Sequence, residues 1–173
     1  FRIYTNPVPI EELRILLPYS GPADTNLCVS HAYRKWLIRT IQKARCLRGK
    51  RWMMFKEDKK YPHSQNLYVC EGDRLLATKT AGNLLNGSFV HVLRLEEDGL
   101  TVRDDITGEE ITVPHTAFAQ HFVSAVAVTY QICQAKTITG TIALHQTGHK
   151  MFSRRHLLVG LSRATRISNL SIC

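Results

Sequence analysis

The spacing of apolar and polar positions divides the chain into three stretches with different periods. The first stretch predicts a short helix, a buried strand, a basic amphipathic helix and an extended polar connection, at residues 6–17, 26–30, 32–47 and 48–65. The middle stretch predicts short strands between Gly, Asn and Asp turns, at residues 67–70, 74–79, 89–95, 99–103 and 110–113. The last stretch returns to longer apolar runs, which predict buried strands at residues 125–129, 141–144 and 157–161.

This order predicts an α/β fold in which a mostly parallel sheet is interrupted by a small β-barrel. Short strands separated by tight turns are typical of a small barrel, whereas runs that are apolar on both faces suit a parallel sheet covered on both sides. We therefore expect three segments along the chain, at residues 1–65, 66–118 and 119–173, with the barrel in the second.

Length and composition favour a small globular protein with reduced cysteines. A chain of 173 residues suits one good core and a small second one. Because no apolar run approaches the ~20 residues of a membrane span and no secretory signal pattern opens the chain, we expect an intracellular protein without a membrane partner. The five cysteines are widely spaced without a Cys-x-x-Cys pair, which indicates neither a disulfide framework nor a zinc site.

Charge is segregated along the chain, whose formal net charge is +9. Residues 31–60 hold 11 of the 23 basic side chains, residues 71–110 hold 9 of the 14 acidic ones, and no Asp or Glu follows Ile111. This pattern predicts a positive face and a separate acidic module. A nucleic-acid phosphate backbone is the obvious partner of such a face, and a solvated helix surface without a ligand is the alternative.

Two clusters near the end of the chain carry the candidate chemistry. Residues 127–138 and 157–166 each run from apolar positions straight into polar ones, and the second cluster ends with Arg163 and Arg166. An arginine presents a planar, permanently charged fork of donors, which suits a developing charge on phosphate. The two clusters together indicate a protein that contacts a nucleotide on one side and a nucleic-acid strand on the other.

These clusters resemble two motifs of superfamily 1 helicases of the RecD and Dda type. Residues 129–137 are similar to helicase motif V, Thr-x-His-x-x-Gln-Gly-x-Thr, and residues 159–164 are similar to motif VI, Val-Ala-Leu-Ser-Arg-Ala. Residues 69–76 and 85–88 follow the family's barrel pattern. The resemblance covers nearly the whole chain and implies a second RecA-like motor domain with an inserted SH3-like barrel. The sequences at motif V and at motif IV depart from the usual ones, in a way that is similar to helicases of large DNA viruses.

The resemblance implies roles at an ATP site for four residues. Arg163 would be an arginine finger that reaches the γ-phosphate, Gln134 and Ala135 would lie where motif V turns toward the nucleotide, and Arg2 would sense the γ-phosphate. Ala135 replaces the usual glycine, which we expect to disfavour a turn with positive φ.

The resemblance also implies contacts with single-stranded DNA. Thr129, Gln131 and Thr137 belong to motif V, where hydroxyl and amide groups can bind phosphate without reading a base, and Gln131 replaces the usual histidine. Ser30 and His31 take the place of Thr-Asn in motif IV, although His31 could equally be a partly buried histidine.

Two tryptophans suggest base-stacking platforms. We predict instead that Trp36 belongs to the core, because it lies on an apolar helical stripe with Leu37, Ile41 and Ala44. We also predict that Trp52, together with residues 53–55, closes the barrel against the motor domain.

The sequence lacks a phosphate-binding loop and the acidic pair that would hold Mg²⁺. Because the chain begins on Phe1, we interpret it as a piece of a longer polypeptide. We therefore expect the carboxy-terminal part of an ATP-dependent DNA helicase, inactive alone, which uses ATP and Mg²⁺ bound mainly by an N-terminal motor domain of the same polypeptide or of a partner chain. By resemblance it would move 5′ to 3′ along single-stranded DNA during replication, in the cytoplasm or nucleus. The alternatives are a non-catalytic single-strand-binding module and a degenerate helicase-like scaffold.

Overall fold

The structure, a computed structural model, describes residues 9–46, 51–61, 63–80, 82 and 84–173. Contacts within the chain divide it into two compact units. The first unit comprises the chain up to Arg34 together with Ala127–Cys173, and the second unit comprises Lys35–Val126.

Four α-helices and eleven strands make up the described part of the chain. The helices are α1 (Ile10–Leu16), α2 (His31–Cys46), α3 (Phe118–His121) and α4 (Arg154–Leu161), with 3-10 turns at His115–Ala117 and Ile167–Asn169. The strands are β1 (Thr25–Cys28), β2 (Trp52–Phe55), β3 (Leu67–Cys70), β4 (Arg74–Ala77), β5 (Phe89–Leu95), β6 (Gly99–Asp104), β7 (Glu110–Pro114), β8 (Phe122–Ser124), β9 (Ala127–Thr129), β10 (Ile142–Leu144) and β11 (Leu170–Ile172).

The first unit is built on a four-stranded sheet in the order β11-β10-β1-β9, and every neighbouring pair is parallel. Leu27 pairs with Leu144 on one side and with Val128 on the other, and all three side chains are fully buried. Burial on both faces explains why these strands read as continuous apolar runs.

The second unit is antiparallel throughout its strands. Five of them form a sheet in the order β7-β6-β5-β4-β8, and β2 and β3 form a separate two-stranded ribbon. Phe55 on β2 is buried and stacks on Phe118, with ring centroids 3.8 Å apart, and on His115 at 4.5 Å. Through these ring contacts, the ribbon packs against the 3-10 turn and the first residue of α3.

The predicted fold class is confirmed, because a parallel sheet and antiparallel strands occur in the predicted order. Strand β5 has the predicted bounds. The antiparallel strands extend beyond the expected barrel at residues 66–118, since β2 lies before it and β8 after it; the three-segment domain organisation stays a prediction. None of the described helices is long and apolar enough to cross a membrane.

The prediction of a strand at residues 157–161 is wrong, because these residues belong to helix α4. Ser153 and His156 cap the start of this helix: the backbone N–H of Ser153 donates to His156 Nδ1 at 3.1 Å. Gly160 is buried on its inner face, where a Cβ would lie 2.5 Å from Leu144 Cδ2. An apolar run of five residues fits a buried strand or a buried helix equally well, and the cap with histidine lacks the usual Glu or Gln signal.

The prediction that Trp36 belongs to the core is also wrong, since 53% of its surface is exposed. The buried side chains near it on α2 are Leu37, Ile38 and Ile41. Ile38 therefore takes the position on the buried face that the prediction gave to Trp36. Trp52 is half exposed, and its ring contacts Tyr68 edge-on with centroids 5.2 Å apart.

Candidate nucleotide and nucleic-acid site

The carboxyl ends of three adjacent strands of the first unit bring several candidate residues to one edge of the sheet. Strands β9, β1 and β10 lie side by side and end at Thr129, Cys28 and Leu144. The backbone N–H of Tyr130 donates to Cys28 O at 3.2 Å and that of His145 donates to Leu27 O at 2.9 Å, so the pairing continues past the strands. We call this side of the sheet the carboxyl edge, and it is where open parallel sheets bind their ligands.

Gln146 joins the loop after β10 to the loop after β1. Its side-chain Oε1 accepts hydrogen bonds from the backbone N–H of Val29 at 2.9 Å and of Ser30 at 3.0 Å. Gln146 has a φ of 59°, a conformation that costs a non-glycine residue about 1 kcal/mol. Ser30 in turn caps α2, since its hydroxyl accepts from the N–H of Tyr33 at 3.3 Å. His31, the first residue of α2, is exposed at this edge.

A buried histidine lies directly beneath the carboxyl edge. His145 Nε2 lies 2.9 Å from Asn26 Oδ1, and its Nδ1 lies 3.3 Å from the Tyr33 hydroxyl. A neutral ring satisfies both contacts, with Nε2–H donating to the amide oxygen and Nδ1 accepting from the hydroxyl. Burial lowers the pKa of His145 from 6.5 to about 4, because the charged form loses its hydration.

Tyr130 holds the start of the segment that resembles motif V, residues 129–137, against the start of α4. Its hydroxyl donates to His145 O at 3.1 Å, and burial raises its pKa. Its ring meets Phe152 and His156 edge-on, with centroids at 5.8 Å and 5.2 Å, and those two rings stack on each other at 5.7 Å. The loops after β9 and β10 therefore form one packed surface.

The loop after β9, residues 130–137, is called the motif V loop below because of its resemblance to that motif. It leads away from the carboxyl edge through consecutive turns. The N–H groups of Ile132, Gln134 and Lys136 donate to carbonyls three residues earlier. Gln134 and Ala135 are exposed on this loop. The expectation that Ala135 disfavours positive φ is not met, because Ala135 adopts a φ of 60° with a side chain present. The residue takes the left-handed conformation that the usual glycine takes at low cost.

Arg163 is bonded to this loop at the end remote from the carboxyl edge. Its Nη1 donates to Lys136 O at 2.9 Å, and its Nε and Nη2 donate to Ser162 Oγ at 3.3 and 3.0 Å. The N–H of Ile138 donates to Arg163 O at 3.1 Å. These bonds among described residues use three of the five guanidinium N–H donors, which leaves two to meet a further acceptor.

Burial dominates the titration of the groups beside Arg163. It raises the pKa of Cys133 to about 12, although the charges of Lys136 and Arg163 oppose that rise. It lowers the pKa of Lys136, against the influence of Cys133. The loop therefore carries a desolvated thiol next to two cations.

The structure separates the predicted site residues into two groups. Ser30, His31, Thr129 and Gln131 lie at the carboxyl edge, where Gln131 and His31 are exposed but Thr129 is only 6% exposed. Gln134, Ala135, Thr137 and Arg163 lie toward the other end of the motif V loop, so Thr137 is placed with the nucleotide candidates rather than with the strand candidates. Arg2 lies outside the described residues.

The predicted basic face of α2 is only partly available for phosphate. Arg34 is 2% exposed, and burial lowers its pKa. Lys35 lies 3.6 Å from Glu57, and Arg45 lies 2.8 Å from Asp73. The exposed basic residues of this stretch that the structure describes are Arg39, Lys43 and Arg51, with Lys56, Lys59 and Lys60 beyond them.

Sequence reasoning missed the residues that hold the site together. The anchor of Arg163 is the backbone carbonyl of Lys136, which no side-chain pattern reveals. Gln146 follows an apolar strand as any loop residue would, and only its φ and its bonds to Val29 and Ser30 show its role. A signal was present for Tyr130, because it is an aromatic residue between two polar ones, Thr129 and Gln131, directly after an apolar strand.

Comparison with solved structures identifies the architecture. The Pif1 helicase of Bacteroides bound to single-stranded DNA aligns at a TM-score of 0.61 and 18% identity, over 95% of this chain and 45% of that one. This chain has the fold of the part of Pif1 that it matches. A Bacteroides Pif1 in complex with ADP-AlF3 and single-stranded DNA aligns at 0.63 and 19% identity, over 95% and 45%. Pif1 from Candida albicans aligns at 0.64 and 13% identity, over 96% and 50%.

The chain thus spans half or less of the length of these Pif1 structures. No protein-family model and no curated protein matches it. These structures show the fold alone, and the resemblance to superfamily 1 helicases of the RecD and Dda type stays a prediction.

Proposed function

We propose that this chain is the C-terminal motor domain of an ATP-dependent DNA helicase. Its partner would be an N-terminal motor domain, of the same polypeptide or another chain, that completes the ATP site. The observation that carries the proposal is the motif V loop: one end follows Thr129 at the carboxyl edge, and the other end is bonded to Arg163 through Lys136 O and Ile138 N. One short segment would therefore connect the strand side to the nucleotide side.

On the nucleotide side, Arg163 would act on the phosphates of ATP. Its two remaining N–H donors fit phosphate oxygens, and its charge would stabilise the transition state of γ-phosphoryl transfer. Gln134 and Ala135 would contact the nucleotide beside it, with Arg2 as a further γ-phosphate contact. By resemblance, the Mg²⁺ ligands would come mainly from the N-terminal motor domain; the described residues of this chain contain no cluster of three or more His, Cys, Asp or Glu side chains that could hold a metal ion.

On the strand side, Gln131, Ser30 and His31 would contact the backbone of single-stranded DNA. Two of the similar Pif1 structures contain single-stranded DNA. Closure of the two motor domains on ATP would pull Arg163, and Arg163 would transmit this movement along the motif V loop to Gln131. Thr129, which is buried, would support the loop through its backbone carbonyl, which accepts from Ile132 N–H; Thr137 would act near the nucleotide.

By resemblance, translocation would run 5′ to 3′, and the protein would serve DNA replication inside the cell. Its source would be a large DNA virus. The segment at residues 66–118 would form the SH3-like barrel inserted between the two parts of the motor domain, at residues 1–65 and 119–173.

The experiment is a translocation assay on the polypeptide that joins this chain to a phosphate-binding motor domain. We expect ATP-dependent displacement of streptavidin from one end of a biotinylated single strand, with a preference for the 3′ end. Strand binding without any ATP-dependent displacement would contradict the motor proposal and favour a single-strand-binding module. Neither binding nor displacement would leave only a scaffold.

A further inference from the structure

A cluster of exposed cations at the carboxyl edge has no role in the function proposed above. Lys150 lies in the loop after β10, and Arg154 and Arg155 form the first turn of α4; all three side chains are exposed. We call these three residues the loop cations. No residue of helicase motifs IV, V or VI is among them.

The loop that carries these cations is held to the predicted strand-binding residues. Gln146, at its start, is bonded to Val29 and Ser30. Phe152 and His156, on either side of the two arginines, both contact the ring of Tyr130, which follows Thr129. The arginines therefore lie next to the start of motif V rather than on a remote surface.

Helix geometry places these arginines beyond the sheet. Gly160 on α4 lies against Leu144, the last residue of β10. At a rise of about 1.5 Å per residue, the six residues from Arg154 to Gly160 span about 9 Å along α4. Because α4 follows a loop that leaves the carboxyl edge, its first turn projects past that edge.

Electrostatics favours an anion at this position. The first unit has only three carboxylates, Glu11, Glu12 and Asp24, and Asp24 is bonded to Thr141 at the opposite, amino edge of the sheet. Two arginines in the first turn of a helix lie at its positive end, where cations are unfavourable and anions favourable. A phosphate would relieve that repulsion and would accept from the guanidinium groups.

We propose that Lys150, Arg154 and Arg155 bind consecutive phosphates of the same single strand, extending its path from Gln131 and His31 across the loop after β10. This inference rests on the proposed function, since it adds a contact surface to that strand. The contacts are with phosphate and do not depend on base identity.

The test measures binding of a fluorescent oligothymidylate to the 173-residue chain by anisotropy at several salt concentrations. Each phosphate contact on a single strand contributes about 0.7 to the slope of log affinity against log salt. The double variant R154Q/R155Q should lower that slope by about 1.4 and weaken binding at low salt by roughly tenfold. Lys150→Gln should lower the slope by about 0.7.

The matched control is K79Q/R94Q, which removes the same charge from two exposed side chains of the second unit that lie outside the basic stretch at residues 31–60. Circular dichroism should show that every variant is folded, because all five side chains are on the surface. Equal slopes and affinities for R154Q/R155Q and K79Q/R94Q would overturn the inference while leaving the proposed function intact. No measurable binding by the unmodified chain would contradict the proposed function and, with it, this inference.

Discussion

Acidification should weaken the first unit through His145. The ring is 2% exposed, and its folded-state pKa is about 4, against about 6.5 for an unfolded chain. Between these two values the unfolded chain binds a proton that the folded chain excludes. The contribution of neutral His145 is therefore fully present above pH ~6.5 and is lost as the pH falls toward ~4.

The size of the effect follows from the difference between the two pKa values. At 1.36 kcal/mol per pH unit, a difference of about 2.5 units corresponds to at most about 3 kcal/mol of unfolding free energy. This is a large part of the stability of a typical domain. His145→Gln should remove this contribution to the pH dependence, although it should also lower stability at neutral pH because Asn26 and Tyr33 lose a partner.

The assay is hydrogen exchange of the backbone amides of β1 and β10 between pH 7.5 and pH 4.5, corrected for intrinsic exchange rates. Tryptophan fluorescence is unsuitable, because both Trp36 and Trp52 belong to the second unit. Other titrating groups are shared by the two proteins, so they cancel in the difference between the unmodified chain and His145→Gln. If both proteins lose protection equally as the pH falls, the burial of a neutral His145 is the wrong explanation.

Three further predictions concern local features of the first unit. Ala135→Gly should raise the unfolding free energy by about 0.5–1 kcal/mol, because glycine relieves the φ of 60°; a lower melting temperature would contradict this. Gly160→Ala should destabilise by about 1 kcal/mol, since crowding against Leu144 outweighs the gain in helix propensity, and the cost should shrink when Leu144 is replaced by Ala. Burial raises the pKa of Cys28 and Cys133 to about 12. A thiol reagent at pH ~8 should therefore label these two residues at least about 10³-fold more slowly in the folded than in the unfolded chain, as measured by peptide mass spectrometry. Rapid labelling of the folded chain would show that both sites are open.

Patterns with a clear period predicted the fold, and packing decided where they failed. Strand β5 is a seven-residue, mostly apolar run that follows the Asn86-Gly87 turn, so its bounds were predictable, whereas β2 lies in a basic stretch and β11 is only three residues long. Helix α4 was mistaken for a strand because an apolar run of five residues fits either element and because its capping histidine lacks the usual Glu or Gln signal.

The candidate site was predictable to the level of motifs but not of contacts. The order of Thr129, Gln134 and Arg163 along the chain was enough to suggest a strand side and a nucleotide side. The hydrogen bond from Arg163 to Lys136 O and the φ of Gln146 depend on the folded backbone, so they cannot be predicted from residue types. Likewise, basic composition could not show that Arg34 is buried while Arg154 and Arg155 are exposed.

The central claim is that Arg163 acts on ATP while the same motif V loop supports the DNA strand. The most direct measurement is the steady-state ATP hydrolysis of the polypeptide that joins this chain to its phosphate-binding motor domain, with saturating single-stranded DNA. We expect Arg163→Ala to reduce kcat by about 10³-fold or more with little change in strand affinity. The control is Arg166→Ala, since Arg166 is an exposed arginine of the same segment. Under the same conditions this variant should keep kcat within about twofold of the unmodified protein. Equal turnover of Arg163→Ala and the unmodified protein would contradict the claim.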